Sequence, residues 1–206
     1  FIDRKIATLF EPLLALERDD KLSGLARGFA FTLVENFGLV PRDEVAETVK
    51  SLDQDARATL RRHGVRFGQY TIFIPLLLKP APTRLRLVLW SLANNIDEFP
   101  TAPPPGLVTV PSESLALSGV DTMSGYCNAG DRAIRLDMLE RLTDMLRSED
   151  SKSGFECNSD MLSITGMTLE QFAGLMVGLG YKADKGSRLK VVLENGNETN
   201  LPQPTV

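Results

Sequence analysis

Apolar residues recur every three or four positions through the first sixty residues, and past Gly64 that period collapses to two. A three-four period places one apolar stripe on a helix, whereas a period of two places alternate side chains on one face of a strand. The chain is thereby committed to helices packed around a short β element. Ile6, Leu9, Leu13 and Leu16 make a first stripe, and Leu22, Leu25, Ala26, Phe29, Ala30, Leu33, Val34 and Phe37 a second. Gly38 stands where a left-handed C-cap belongs, and Pro41 stops the helix from running on. A third helix is predicted over 42–62, with Val45, Val49, Leu52 and Leu60 inward. Val65 and Phe67, then Tyr70, Ile72 and Ile74, predict a strand or hairpin bending at Gly68.

Prolines at 75, 80 and 82 punctuate the next stretch, and a helix over 83–94 follows with Leu85, Val88, Leu89 and Leu92 on one face. Trp90 lies off that stripe and is read as core packing. Residues 100–125, with Pro103, Pro104 and Pro105 in succession, read as a proline-rich linker. The division that follows is a mostly helical accessory domain over 1–99, the linker over 100–125, a second module over 126–195 and a flexible tail over 196–206. In the second module a helix over 132–147 is predicted to bury Ile134, Met138, Leu142 and Met145. A polar loop, a short helix near Met161, Leu162 and Ile164, and a break at Gly166 come next. Thr168 and Gln171 form a capping box opening a helix that ends at Gly180, and 188–193 reads as a strand. That order of elements is the order of a winged helix-turn-helix. The fold class is mainly α (α+β), ending in a small winged-helix-like module.

Composition excludes several classes. Hydrophobic content of 43% and charged content of 24% are ordinary for a globular chain of 206 residues. No apolar run approaches the roughly 18–20 residues of a membrane span, so no membrane role is expected. Phe1 opens inside a helical pattern, and the chain is read as a piece of a longer protein. Cys127 and Cys157 are read as buried thiols of a cytoplasmic protein rather than a disulfide. One histidine, His63, and no paired-cysteine spacing leave no metal site. The phosphate-cradling Gly-x-x-x-x-Gly-Lys-[Ser/Thr] loop is absent, and no nucleophile is coupled to His63, so no catalytic residue is assigned.

Charge is distributed unevenly. Between Asp55 and Asp97 there is no carboxylate, yet Arg57, Arg61, Arg62, Arg66, Lys79, Arg84 and Arg86 all fall there. The chain has formal net charge −4, so without those cations the remainder stands near −11. With Phe67, Tyr70 and Phe73 interleaved, the window has the chemistry to hold phosphates and stack unpaired bases, although Phe67 and Phe73 alternate along a strand and are expected to be half buried in the core. Arg57, Arg61, Arg62, Arg66, Tyr70, Lys79, Arg84 and Arg86 are its candidate nucleic-acid contacts. A solvated basic face paired with acidic neighbours is the competing reading. In the second module the helix after Thr168 offers Glu170, Gln171, Gly174 and Gly178 and no cation, which argues against reading of base edges. Lys182, Lys185, Arg188 and Lys190 supply wing contacts to phosphate.

Several stretches together resemble the C-terminal region of alphaproteobacterial superfamily-two helicases, relatives of the mitochondrial degradosome RNA helicase. They are Gly24 to Phe31, Leu60 to Gly68, Ile74 to Pro80, Arg132 to Leu142, and Leu179-Gly180-Tyr181. The resemblance spans about residues 20–185. It implies an ATP-dependent RNA or DNA helicase as the parent protein, with this segment following the motor domains. ATP and magnesium would belong to those upstream domains, and no cofactor is expected in this segment. The partners so implied are single-stranded RNA or DNA, the motor domains themselves, and a nuclease or other protein. Two rival readings remain: an interaction module without nucleic-acid affinity, and a winged-helix transcription regulator.

Overall fold

The computed structural model describes residues 2–186 together with 190–194 and 197–201, the last two stretches by backbone alone. It is mainly helical with small antiparallel sheets. Helices α1 (Ile2–Leu9) and α2 (Glu11–Arg18) are separate, the chain turning at buried Phe10 before Pro12 starts the second. Helix α3 (Gly24–Glu35) buries Ala26, Phe29, Ala30 and Leu33, as its three-four spacing requires. It ends where Gly38, at φ +82°, donates its N–H to the Leu33 carbonyl at 2.7 Å. A side chain at Gly38 would strike Leu77, so glycine meets both the backbone angle and the packing.

The single helix predicted over 42–62 is instead two, α4 (Ala46–Ser51) and α5 (Gln54–Arg62). Leu52 turns extended and drops into the core, and Asp53 caps the new helix by accepting the Ala56 N–H at 2.7 Å. Strands β1 (Leu39–Pro41), β2 (Arg66–Phe67) and β3 (Thr71–Phe73) form an antiparallel sheet in the order β1-β3-β2, with Gly68 opening the β2–β3 bend. Its faces serve different cores: Val40 and Ile72 pack with the helices α2 to α5, and Leu39 and Phe73 pack with Leu136.

A 3-10 turn, Pro75–Leu78, leads into α6 (Pro80–Ala93). The stripe predicted for this helix is corrected. The buried residues are Pro82, Thr83, Arg86, Leu87 and Ser91, while Leu92 is 59% exposed. Leu85 and Leu89 of the predicted stripe do pack, partly buried, against the main core, but hydropathy misses the fully buried face because it carries an arginine and hydroxyls whose partners come from other elements. Trp90 is half-buried against the turn at Gly119.

Regular structure runs through much of 100–125. Strand β4 (Thr109–Pro111), a 3-10 turn (Ser112–Leu115) and α7 (Val120–Ser124) lie there. Leu115, Val120 and Met123 share a cluster with Leu87 of α6. Strands β5 (Tyr126–Ala129) and β6 (Arg132–Arg135) form a hairpin about Gly130-Asp131, and β4 adds to it in the order β4-β6-β5. The helix predicted from Arg132 therefore starts later, as α8 (Leu136–Leu146), and buries Leu136, Leu139, Leu142, Thr143 and Leu146. Next come α9 (Ser159–Thr165) and α10 (Leu169–Gly178), the latter opened by the Thr168–Gln171 capping box. Strands β7 (Lys190–Glu194) and β8 (Asn197–Leu201) pair antiparallel, so a strand occupies part of the stretch predicted as a tail. No helix among the described residues is long and apolar enough to cross a membrane.

Candidate nucleic-acid interface

The basic window divides into three environments. Arg61 and Arg62 end α5 and are exposed, where cations also favour the negative end of the helix dipole. Arg66 is exposed on β2, an edge strand whose only neighbour among the described residues is β3. None of the three enters an ion pair; those among the described residues are Lys50–Glu47, His63–Asp19, Arg135–Asp137 and Arg147–Asp144. The Arg61 guanidinium lies 5.5 Å from the centre of the Phe67 ring, which brings the end of α5 against β2. Successive side chains of a strand point to opposite faces, so Arg66 turns away from the side on which Phe67 and Arg61 meet. Arg61 and Arg66 therefore stand on opposite faces of the sheet edge.

Arg86 is withdrawn from this surface, which corrects its assignment as a contact, and Arg57 is half-buried. Arg57 donates from Nη2 to the Val49 carbonyl at 2.6 Å and ties α5 back onto α4. Arg86 is fully buried, and donates from Nε to the Met123 carbonyl at 2.7 Å, from Nη1 to the Leu77 carbonyl at 2.9 Å and from Nη2 to Thr83 Oγ1 at 3.2 Å. Burial brings its pKa down to about 9, which leaves it charged at neutral pH. It pins α6 to α7. Lys79 and Arg84 are exposed, but they line a separate cavity at the start of α6.

The aromatic residues are also committed elsewhere. Phe67 stacks on Phe29, with ring centres 5.8 Å apart and planes 18° from parallel. Phe73 is buried, and the Tyr70 hydroxyl donates to the Leu179 carbonyl at 3.2 Å. Burial raises the Tyr70 pKa, as expected of a phenol set among apolar neighbours. Phe67 and Phe73 are thus packed inside as expected, and only the assignment of Tyr70 as a contact is corrected, to internal packing. His63, inside the basic run, is held by Asp19 Oδ2 at 2.6 Å, and that hydrogen bond lowers the Asp19 pKa.

The bend between β2 and β3 is gripped from afar. Glu140 Oε1 accepts the Gln69 N–H at 2.9 Å, and Arg42 Nη1 donates to the Gly68 carbonyl at 2.7 Å. Partial burial raises the Glu140 pKa against the opposing effect of the Gln69 N–H. No local pattern in the chain announces this clamp, because Glu140 lies 71 positions from Gln69.

Of the wing residues, Lys182 and Lys185 are exposed after α10, while Arg188 and the side chain of Lys190 lie outside the described residues. The glycines of α10 serve packing: a side chain on Gly178 would overlap the backbone of Ala129 and Gly130 in the β5–β6 turn. Among the described residues no cluster of three or more His, Cys, Asp or Glu is placed to hold a metal ion. Cys127 and Cys157 are free and half-buried, and burial pushes the Cys127 thiol up to about 11, far from a reactive thiolate. Comparison with models of known families, with curated proteins and with solved structures finds no match in any of the three.

Proposed function

We propose that this chain is the C-terminal accessory region of a cytoplasmic ATP-dependent RNA or DNA helicase, and that it holds the phosphates of a single strand through Arg61, Arg62 and Arg66. ATP and magnesium belong to the motor domains in this reading. The observation that carries it is the placement of three exposed, acid-free guanidiniums around the rim formed by α5 and β2. Because Phe67, Phe73 and Tyr70 are occupied within the fold, the grip acts on the backbone and does not distinguish bases. Lys182 and Lys185 add charge beside a winged-helix-like module built from α8 to α10 with β7 and β8. That module docks on the motor domains or on a nuclease partner.

Fluorescence anisotropy with a labelled single-stranded oligonucleotide tests this reading. Arg61→Ala, Arg62→Ala and Arg66→Ala combined should weaken binding at low salt. The slope of log affinity against log salt should flatten by about 0.7 per lost phosphate contact, or about 2 in all. Equal binding by the triple variant and the parent would sink the assignment. A second reading, a protein-docking module without nucleic-acid affinity, is favoured by Leu25 and Phe31, which are 55% and 62% exposed on α3. It holds if the parent chain fails to shift single-stranded RNA or DNA.

A further inference from the structure

A cavity of about 250 Å³, lined by none of Arg61, Arg62 or Arg66, lies where the start of α6 meets the prolines at 103–105 and the α7–β5 junction. Its walls divide by chemistry. Pro75, Leu78 and Pro103 supply apolar surface, whereas Lys79, Arg84 and Arg135 bring cations against one carboxylate, Asp137. Lys79 and Arg84 are exposed and form no ion pair among the described residues. Arg135 gives Nε and Nη2 to the two oxygens of Asp137 at 2.6 and 3.0 Å, which leaves Nη1 for another acceptor. The cavity is therefore locally cationic in a protein of net charge −4. The first turn of α6 also borders it, though with proline at 80 and 82 only Ala81 of its first three residues has an N–H to offer.

Ser124 also lines the cavity, but its Oγ is closed off from solvent and so does not open into it.

We propose that this cavity is a phosphomonoester site whose ligand is a nucleotide, taken either free or as the phosphorylated end of a strand. Lys79, Arg84 and the free Nη1 of Arg135 meet the phosphate oxygens, which suit charge-assisted donors. The proline and leucine wall covers the flat ring. The volume sits just below the ~300–1,000 Å³ usual for small-molecule sites, so it admits one nucleotide and not a length of chain. This assignment does not need the strand contact at Arg61, Arg62 and Arg66.

Isothermal titration of the full chain with adenosine monophosphate, adenosine and inorganic phosphate tests it. The monophosphate should bind at least about tenfold more tightly than either of the others, since a charge-assisted hydrogen bond is worth about one decade or more. Lys79→Ala with Arg84→Ala should lose about tenfold. Because Lys79 and Arg84 are exposed and unpaired, the double variant should keep the parent's circular dichroism. The Arg61, Arg62 and Arg66 triple variant should titrate like the parent, which separates failure of this site from failure of the strand contact. Displacement of the monophosphate by a 5′-phosphorylated tetranucleotide identifies a strand end as the ligand, and its failure to displace identifies a free nucleotide; either supports the site. Adenosine binding as tightly as its monophosphate, inorganic phosphate matching it, or an unchanged double variant overturns the proposal.

Discussion

The rings of Phe29 and Phe67 lie 5.8 Å apart and nearly parallel, with the Arg61 guanidinium 5.5 Å from the Phe67 centre. One residue of the edge strand thus fastens α3, the end of α5 and β2 together. Phe67→Ala should destabilise the fold by about 2 kcal/mol, less than a fully buried phenylalanine because the ring is only half covered. Urea denaturation measures that loss. Strand affinity, read by anisotropy below the unfolding transition, should stay within twofold of the parent; a loss of about 1 kcal/mol or more per base would mean that Phe67 stacks on bases after all.

Glu140 carries a carboxylate whose pKa is raised by burial. A raised folded-state pKa means that the protonated form favours folding. The resulting stability is fully present below the unfolded value near 4.5 and is lost as pH rises through the folded value. Glu140→Gln keeps an oxygen for the Gln69 N–H and removes the charge. It should match the parent in urea at acid pH and be at least as stable at pH 7. A variant clearly weaker than the parent at pH 7 would show that the ionised carboxylate strengthens the clamp more than its burial costs.

Arg86 satisfies two carbonyls and a hydroxyl and enters no ion pair among the described residues. Arg86→Ala leaves the Leu77 and Met123 carbonyls without this donor and opens a void, and should cost about 3 kcal/mol or more. Thermal unfolding checks this. Oligonucleotide binding by the remaining folded fraction should be unchanged, in contrast with the exposed arginines.

Gly178→Ala sets helix propensity against packing. Alanine gains about 1 kcal/mol in a helix interior, but here its Cβ would overlap the backbone of Ala129 and Gly130. Net destabilisation of about 1–2 kcal/mol is expected, read as a lower melting temperature. Gly174→Ala, with nothing within 4 Å of the added carbon, should raise it.

Local rules were legible where the chain answers to its neighbours. The α3 stripe through Ala26, Phe29, Ala30 and Leu33, the left-handed cap at Gly38 and the Thr168–Gln171 box depend on residues within a few positions and are found, whereas Leu25 of the same stripe faces solvent. Ile134 misled because it keeps helical spacing with Met138 and Leu142 although it belongs to β6; the two-residue turn at Gly130-Asp131 was the available signal. Asp53 likewise carried a readable cap in the middle of a stretch taken as one helix. Arg86 could not be placed by hydropathy, since its burial is made tolerable by a carbonyl 37 positions away. Of the candidate contacts, Arg61, Arg62 and Arg66 are exposed as a basic surface requires, while Arg57 and the aromatics satisfy the interior first.

Gln69 and Tyr70, three and four positions beyond Arg66, are anchored respectively to α8 through Glu140 and to the residue after α10 through Leu179. A pull on the β2–β3 bend is therefore borne by the distal helices rather than by the short ribbon alone. Conversely, any shift in the posture of those helices alters the stiffness with which Arg66 is presented.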